Sequence, residues 1–140
     1  MNFDEKIVRR IAYIAIQPTP FQDKHITLSY FGKKSLSEKL AILEYYYPIL
    51  YNSISAHFSK VGFYQDKNFG YFVELNPDFQ EKYFQGIVPH MTILVQNGGR
   101  AVDTWKCFSE FGQSTDIIKI PFGGIVYPYK YNNKPVEKFF

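Results

Sequence analysis

Apolar and polar residues alternate with two distinct periods along this chain, and the periods assign most of its elements. Residues 7–16 are rich in β-branched apolar side chains and predict a first strand. On it Arg9, Ile11, Tyr13 and Ala15 share one face; Val8, Arg10, Ala12, Ile14 and Ile16 share the other. Residues 1–6 before it read as a frayed end or an edge. Pro18 and Pro20 end the strand and leave residues 17–24 as a loop. Residues 25–31 predict a second strand, stopped by Gly32. Ser35-Leu36-Ser37-Glu38 has the form of a capping box, followed by Leu36, Leu40, Leu43 and Tyr47 as one helical stripe. Pro48 kinks or ends that helix.

Residues 54–65 and 70–75 read as a strand pair turned by Asp66-Lys67-Asn68, with Gly62 as a candidate bulge. Asn76-Pro77 opens a short helix over residues 78–84. Gly86 and Pro89 lead into a strand over His90–Val95. Asn97-Gly98-Gly99 is loop chemistry, and residues 101–111 predict a helix closed by Gly112. Residues 117–120 and 125–131 predict two last strands, separated by Pro121 and Gly123-Gly124. Residues 132–140 carry no assignable pattern.

The succession of signature strand, helix and strand pair occurs twice, about half a chain apart. No linker or low-complexity stretch intervenes, so residues 1–140 read as one domain with two pseudo-symmetric lobes. A chain of 140 residues buries enough surface to fold without metal or disulfide. Aromatic residues make up 19% of it, with 12 Tyr and 14 Phe, which suits a strand-rich fold with a few rings left over for stacking. The net charge of +3 admits a small anionic ligand and argues against a long nucleic-acid groove, which needs clustered Lys and Arg. A lone Cys107, no visible signal peptide and no long apolar run together predict a cytoplasmic protein, of the host cell if the source is viral, with no membrane partner.

Two stretches carry candidate chemistry: His25-Ile26-Thr27-Leu28 and His90-Met91-Thr92-Ile93, their histidines 65 residues apart. On a strand, His25 and Thr27 share one face while Ile26 and Leu28 share the other, and the second stretch repeats this. An imidazole exchanges protons near neutral pH, and a threonine hydroxyl can donate to a phosphate oxygen. Two copies supply a base, an acid and two phosphate clamps. A third stretch, His57-Phe58-Ser59, also pairs His with a hydroxyl, but it lacks a counterpart in the duplicated pattern and is set aside.

His25-Ile26-Thr27-Leu28-Ser29-Tyr30-Phe31-Gly32 and Pro89-His90-Met91-Thr92-Ile93-Leu94 resemble the two signatures of the two-histidine phosphoesterase superfamily. That group includes 2′-5′ RNA ligase-like proteins, 2′,3′-cyclic nucleotide phosphodiesterases and phage enzymes that destroy cyclic oligonucleotide defence signals. The resemblance implies a bilobal α+β fold, with two antiparallel sheets forming a central cleft and helices packed outside. It implies a metal-independent enzyme without cofactors, in which His25, Thr27, His90 and Thr92 are the catalytic set. The resemblance does not fix the substrate; the small size and modest charge favour a small nucleotide, such as a cyclic oligonucleotide, a 2′,3′-cyclic phosphate or a 2′-5′ link, or an RNA end, over long RNA.

Further candidates are weaker. Tyr13 could stack on a base or belong to the core, and Arg100 could grip phosphate or only solvate its loop. Lys24, Lys33 and Lys34 could steer an anion. Tyr127 and Tyr129 stand as Tyr13 does, and Cys107 reads as packing, not as a nucleophile. Two rivals stay open: a three-histidine zinc site, and a nucleotide-binding module without turnover. No obligate protein partner is evident.

Overall fold

The computed structural model describes residues 3–137. The elements in chain order are α1 (Glu5–Arg9), β1 (Ile11–Pro18), β2 (Ile26–Tyr30), α2 (Leu36–Tyr46), β3 (Ser53–Tyr64), β4 (Asn68–Glu74), α3 (Pro77–Tyr83), β5 (His90–Val95) and β6 (Gln113–Lys130). Two 3₁₀ segments, Tyr47–Ile49 and Ala101–Phe108, complete them. The fold is α+β.

The six strands form one antiparallel sheet in the order β2-β1-β6-β3-β4-β5, not the two sheets expected. The reason is β6. Pro121 and Gly123-Gly124 were expected to divide it, yet it runs unbroken and serves both halves. Its first part pairs with β3 and its last with β1, and Gly124 pairs with both Ile54 and Pro18. A Cβ at Gly124 would lie 2.6 Å from Ile16 Cγ2 and 2.8 Å from the Gln17 carbonyl oxygen, so only glycine lets the strands close here. The sheet curls until its edge strands β2 and β5 touch; Thr27 lies on β2 with His25 just before it, and His90 and Thr92 lie on β5. Lys24 Nζ bridges them by donating to the Ile93 carbonyl at 3.4 Å.

Several local expectations are corrected. The apolar run 7–16 begins as helix α1, capped by the Asp4 side chain on the Lys6 amide, and becomes strand only at Ile11. A register shift between Ile11 and Tyr13 regroups β1: Ile11 joins Ile14 and Ile16 in the main core, while Ala12 joins Tyr13 and Ala15 in a second cluster with Tyr129. The capping box of α2 forms as expected, but Tyr46 is its buried tyrosine and Tyr47 is exposed, because the chain tightens into a 3₁₀ turn at Pro48. The bulge in β3 falls between Phe58 and Lys60, not at Gly62. Gly62 instead permits close packing, since a Cβ there would meet Phe108 at 2.7 Å and Cys107 at 2.9 Å.

The helix expected over 101–111 is a 3₁₀ segment ending at Phe108. Its threefold period turns Thr104 and Cys107 toward the sheet and Val102 and Trp105 toward the region between β2 and β5. The main core draws on both halves, with Ile14, Leu28, Leu43, Phe58, Met91 and Val126 among its members. Of the terminal stretches, 1–2 and 138–140 lie outside the described residues. No helix among the described residues is long and apolar enough to cross a membrane.

Candidate active site

A cavity of about 570 Å³ opens between the edge strands, and His25, Thr27, His90 and Thr92 all line it. Local sequence explains their placement. Ile26 and Leu28 are fully buried, which turns Thr27 to the opposite face; Met91 does the same for His90 and Thr92. Ile87, Val88, Val102 and Trp105 supply apolar wall, with Lys24 and Tyr30 also at the cavity. It therefore combines imidazoles, hydroxyls and an ammonium group with apolar wall at ligand size.

The two imidazoles are held differently. His25 stands just before β2 and stacks on the Tyr13 ring, with centroids 4.8 Å apart and planes inclined by 29°. Tyr13 stacks in turn on Tyr129 at 4.8 Å and 12°, and its hydroxyl donates to Asn133 Oδ1 at 2.9 Å. His90 donates from Nδ1 to the Val88 carbonyl at 2.7 Å, which leaves Nε2 as its other ring nitrogen. Burial lowers the pKa of both rings. His25 is lowered further by the like charge of His90 and of Lys24, whereas the Val88 carbonyl offsets part of the effect on His90 by favouring its protonated form. Both rings are therefore biased toward the neutral form, His25 by neighbouring charge as well as burial and His90 against the pull of the Val88 carbonyl.

The threonines also differ. The Thr92 hydroxyl is hydrogen-bonded to that of Thr104 at 3.0 Å, and Asn68 Nδ2 donates to the same Thr104 oxygen at 3.0 Å and to the Arg100 carbonyl at 2.8 Å. Thr104 is 0% exposed and Asn68 3%. Thr27 makes no side-chain hydrogen bond among the described residues.

The other candidates fall elsewhere. Tyr13 does not line the cavity; it is buried beneath His25 as a support. Arg100 is exposed and absent from the cavity wall, and it enters the site only through its backbone carbonyl. His57 is exposed on β3 opposite Glu74 and Pro121, away from the cavity. Lys33 and Lys34 are exposed and outside it, while Lys24 lines it. Tyr127 packs edge-on against Tyr129. Cys107 is buried, and burial pushes its thiol up to about 11, so it is no nucleophile. No three His, Cys, Asp or Glu side chains among the described residues gather as a metal site would need.

Sequence reasoning missed Asn68, Thr104, Trp105, Val102 and Ile87. Asn68 read as turn chemistry, and Thr104 was reached only as the end of the loop over residues 96–104 that follows the second His-x-Thr stretch, where the family resemblance places an approach to phosphate. A threefold rather than 3.6-fold reading of residues 101–108 is the signal that separates Thr104 from Trp105. Set against family models and against curated proteins, the chain matches none.

Proposed function

We propose that this protein is a phosphodiesterase of the two-histidine kind, which cleaves a phosphodiester involving a ribose 2′-oxygen in a small nucleotide. The observation that carries the reading is that both His-x-Thr stretches, 65 residues apart in sequence, line one cavity. In this reading the halves of the curled sheet, joined by β6, act as the two lobes of a single domain.

Neutral His25 takes a proton from the attacking oxygen, either water or the ribose 2′-hydroxyl. The new P–O bond forms as the opposite P–O bond breaks. Protonated His90 delivers its Nε2 proton to the leaving oxygen. The Thr27 and Thr92 hydroxyls hold non-bridging oxygens as charge builds. Lys24 adds positive potential at the wall. A cavity of about 570 Å³ suits a ligand of nucleotide or dinucleotide size and favours cyclic oligonucleotides or RNA ends over long RNA.

The test is a product screen. Purified protein is incubated with 2′,3′-cyclic nucleotides, 2′-5′ and 3′-5′ dinucleotides and cyclic di- and trinucleotides, with products read by mass spectrometry. Catalytic conversion of at least one is expected. The apolar wall of Val102 and Trp105 favours one other reading, a nucleotide-binding module. Stoichiometric retention of a nucleotide without turnover would establish that instead.

A further inference from the structure

A second concavity, of about 440 Å³, lies between α1 and the chain that returns along β6 after Lys130, and it shares no lining residue with the cavity of the histidines. Lys6 and Arg10 reach it from α1 and its end, and Lys130 from the end of β6. Among the described residues, none of these three side chains donates a hydrogen bond or lies within ion-pair distance of a carboxylate. The carbonyls at the end of α1 are already taken. Lys39 Nζ donates to those of Arg9 and Ile11 at 2.9 and 3.1 Å, and the Arg10 amide donates to that of Ile7 at 2.9 Å. Glu137 is the one carboxylate on the wall among the described residues, so the concavity is positive, and its three cations equal the whole net charge of +3 that the chain carries. Cations gathered in this way repel one another, and an anion placed between them removes that cost. The opposite wall is fixed by main-chain groups: the Val136 amide donates to the Pro128 carbonyl at 2.8 Å, and the Tyr51 hydroxyl to the Val136 carbonyl at 2.8 Å. Val136 is buried while Ile7 and Pro135 are half-buried, which lays an apolar strip beside the cations.

We propose that this concavity is a second ligand site, which takes a nucleoside diphosphate or triphosphate, with its phosphates among Lys6, Arg10 and Lys130 and its nucleoside against Ile7 and Pro135. The Arg10 guanidinium offers the fork that binds a phosphate through two oxygens, and the two ammonium groups add point charge. A volume of about 440 Å³ exceeds what a lone phosphate fills and falls in the range of small-molecule sites, and the apolar strip has no use for an inorganic ion. A single concavity with a carboxylate on its wall does not form the basic stripe that long nucleic acid needs. The site does not depend on the phosphodiesterase reading of the histidine cavity.

The experiment titrates ADP, pyrophosphate and adenosine into the full chain by isothermal calorimetry. ADP should bind more tightly than either of the others, because each of them makes only part of its contacts, and pyrophosphate should compete with it. The triple variant Lys6→Gln/Arg10→Gln/Lys130→Gln should weaken ADP about 10–100-fold, the loss of three partly exposed charge contacts to phosphate. A control, Lys33→Gln/Lys34→Gln/Lys82→Gln, removes the same charge from exposed positions elsewhere and should weaken it less than about threefold, since salt screens distant charges. Amide NMR shifts on the wild type, which need no variant, should move at Lys6, Arg10, Lys130 and Val136 when ADP is added. Absence of ADP binding overturns the inference. So does an equal loss in the two triple variants, adenosine bound as tightly as ADP, or a set of shifted amides confined to the cavity of His25 and His90.

Discussion

Replacing Tyr13 by leucine takes away the ring on which His25 rests. Tyr13 stacks on His25 and on Tyr129, both at 4.8 Å, and its hydroxyl reaches Asn133. Two stacked pairs at about 0.5–1.5 kcal/mol each and one hydrogen bond near 1 kcal/mol give a loss of about 2–4 kcal/mol. That is a large share of the roughly 5–15 kcal/mol that holds a domain folded, but short of all of it. The freed imidazole regains rotamer entropy of about 1 kcal/mol, which corresponds to roughly fivefold in kcat. It is also opened to water, so its pKa, held down mainly by burial, rises toward the ordinary value. His25 must be neutral to act as base, so the acid limb of the kcat/KM profile moves to higher pH while the alkaline limb, set by His90, stays. Urea unfolding, the pH profile of kcat/KM and NMR titration of the imidazoles read these effects separately. Tyr13→Phe is the control: it keeps the rings, loses up to about 1 kcal/mol and leaves both limbs in place. If Tyr13→Leu left the His25 titration where it was, the stacking account of that residue would be wrong.

Other outcomes follow from the same geometry. With both histidines lowered by burial, the bell of kcat/KM against pH should centre below about 6.5, and bound phosphate should move the kcat profile to higher pH by favouring the protonated acid. Stability should be complete above about pH 6.5 and decline as pH falls through that value, because the unfolded chain then binds protons that the folded histidines refuse; His25→Gln should flatten this slope in urea melts taken across pH. Gly124→Ala should cost about 1–3 kcal/mol in thermal or urea unfolding, since the added methyl meets Ile16 and the Gln17 backbone. Cys107 should resist thiol reagents in the native protein and react only on unfolding, as followed by mass spectrometry.

Much of the site was legible from the chain because strand alternation is strict. Once Ile26, Leu28 and Met91 are assigned to the core, Thr27, His90 and Thr92 have only one way to face. His57 obeys the same local rule, and only its lack of a counterpart in the other half set it apart. The fold was less legible where one physical cue has two readings. Pro121 and Gly123-Gly124 look like breaks, yet Gly124 is the close-approach point that lets β6 join both halves in one sheet. The run from Ile7 is apolar enough for a strand, but a single cap at Asp4 makes its start helical. The supports of the site were out of reach: Tyr13 meets Asn133, and Asn68 meets Thr104, across 120 and 36 residues of sequence, and no local period records such pairings.

The central claim is that His25 and His90 act together on one phosphodiester. The most direct measurement is single-turnover kinetics of His25→Ala, His90→Ala and the double variant, on whichever substrate the wild type converts, with and without thorough chelation. Each single variant should lose about 2–4 decades, and the double variant should lose little beyond the worse single one, because paired acid and base work as a unit. His57→Ala should retain nearly full activity, and chelation should change nothing. Turnover that survives removal of either histidine, or that vanishes with chelation and returns with added metal, would contradict the account.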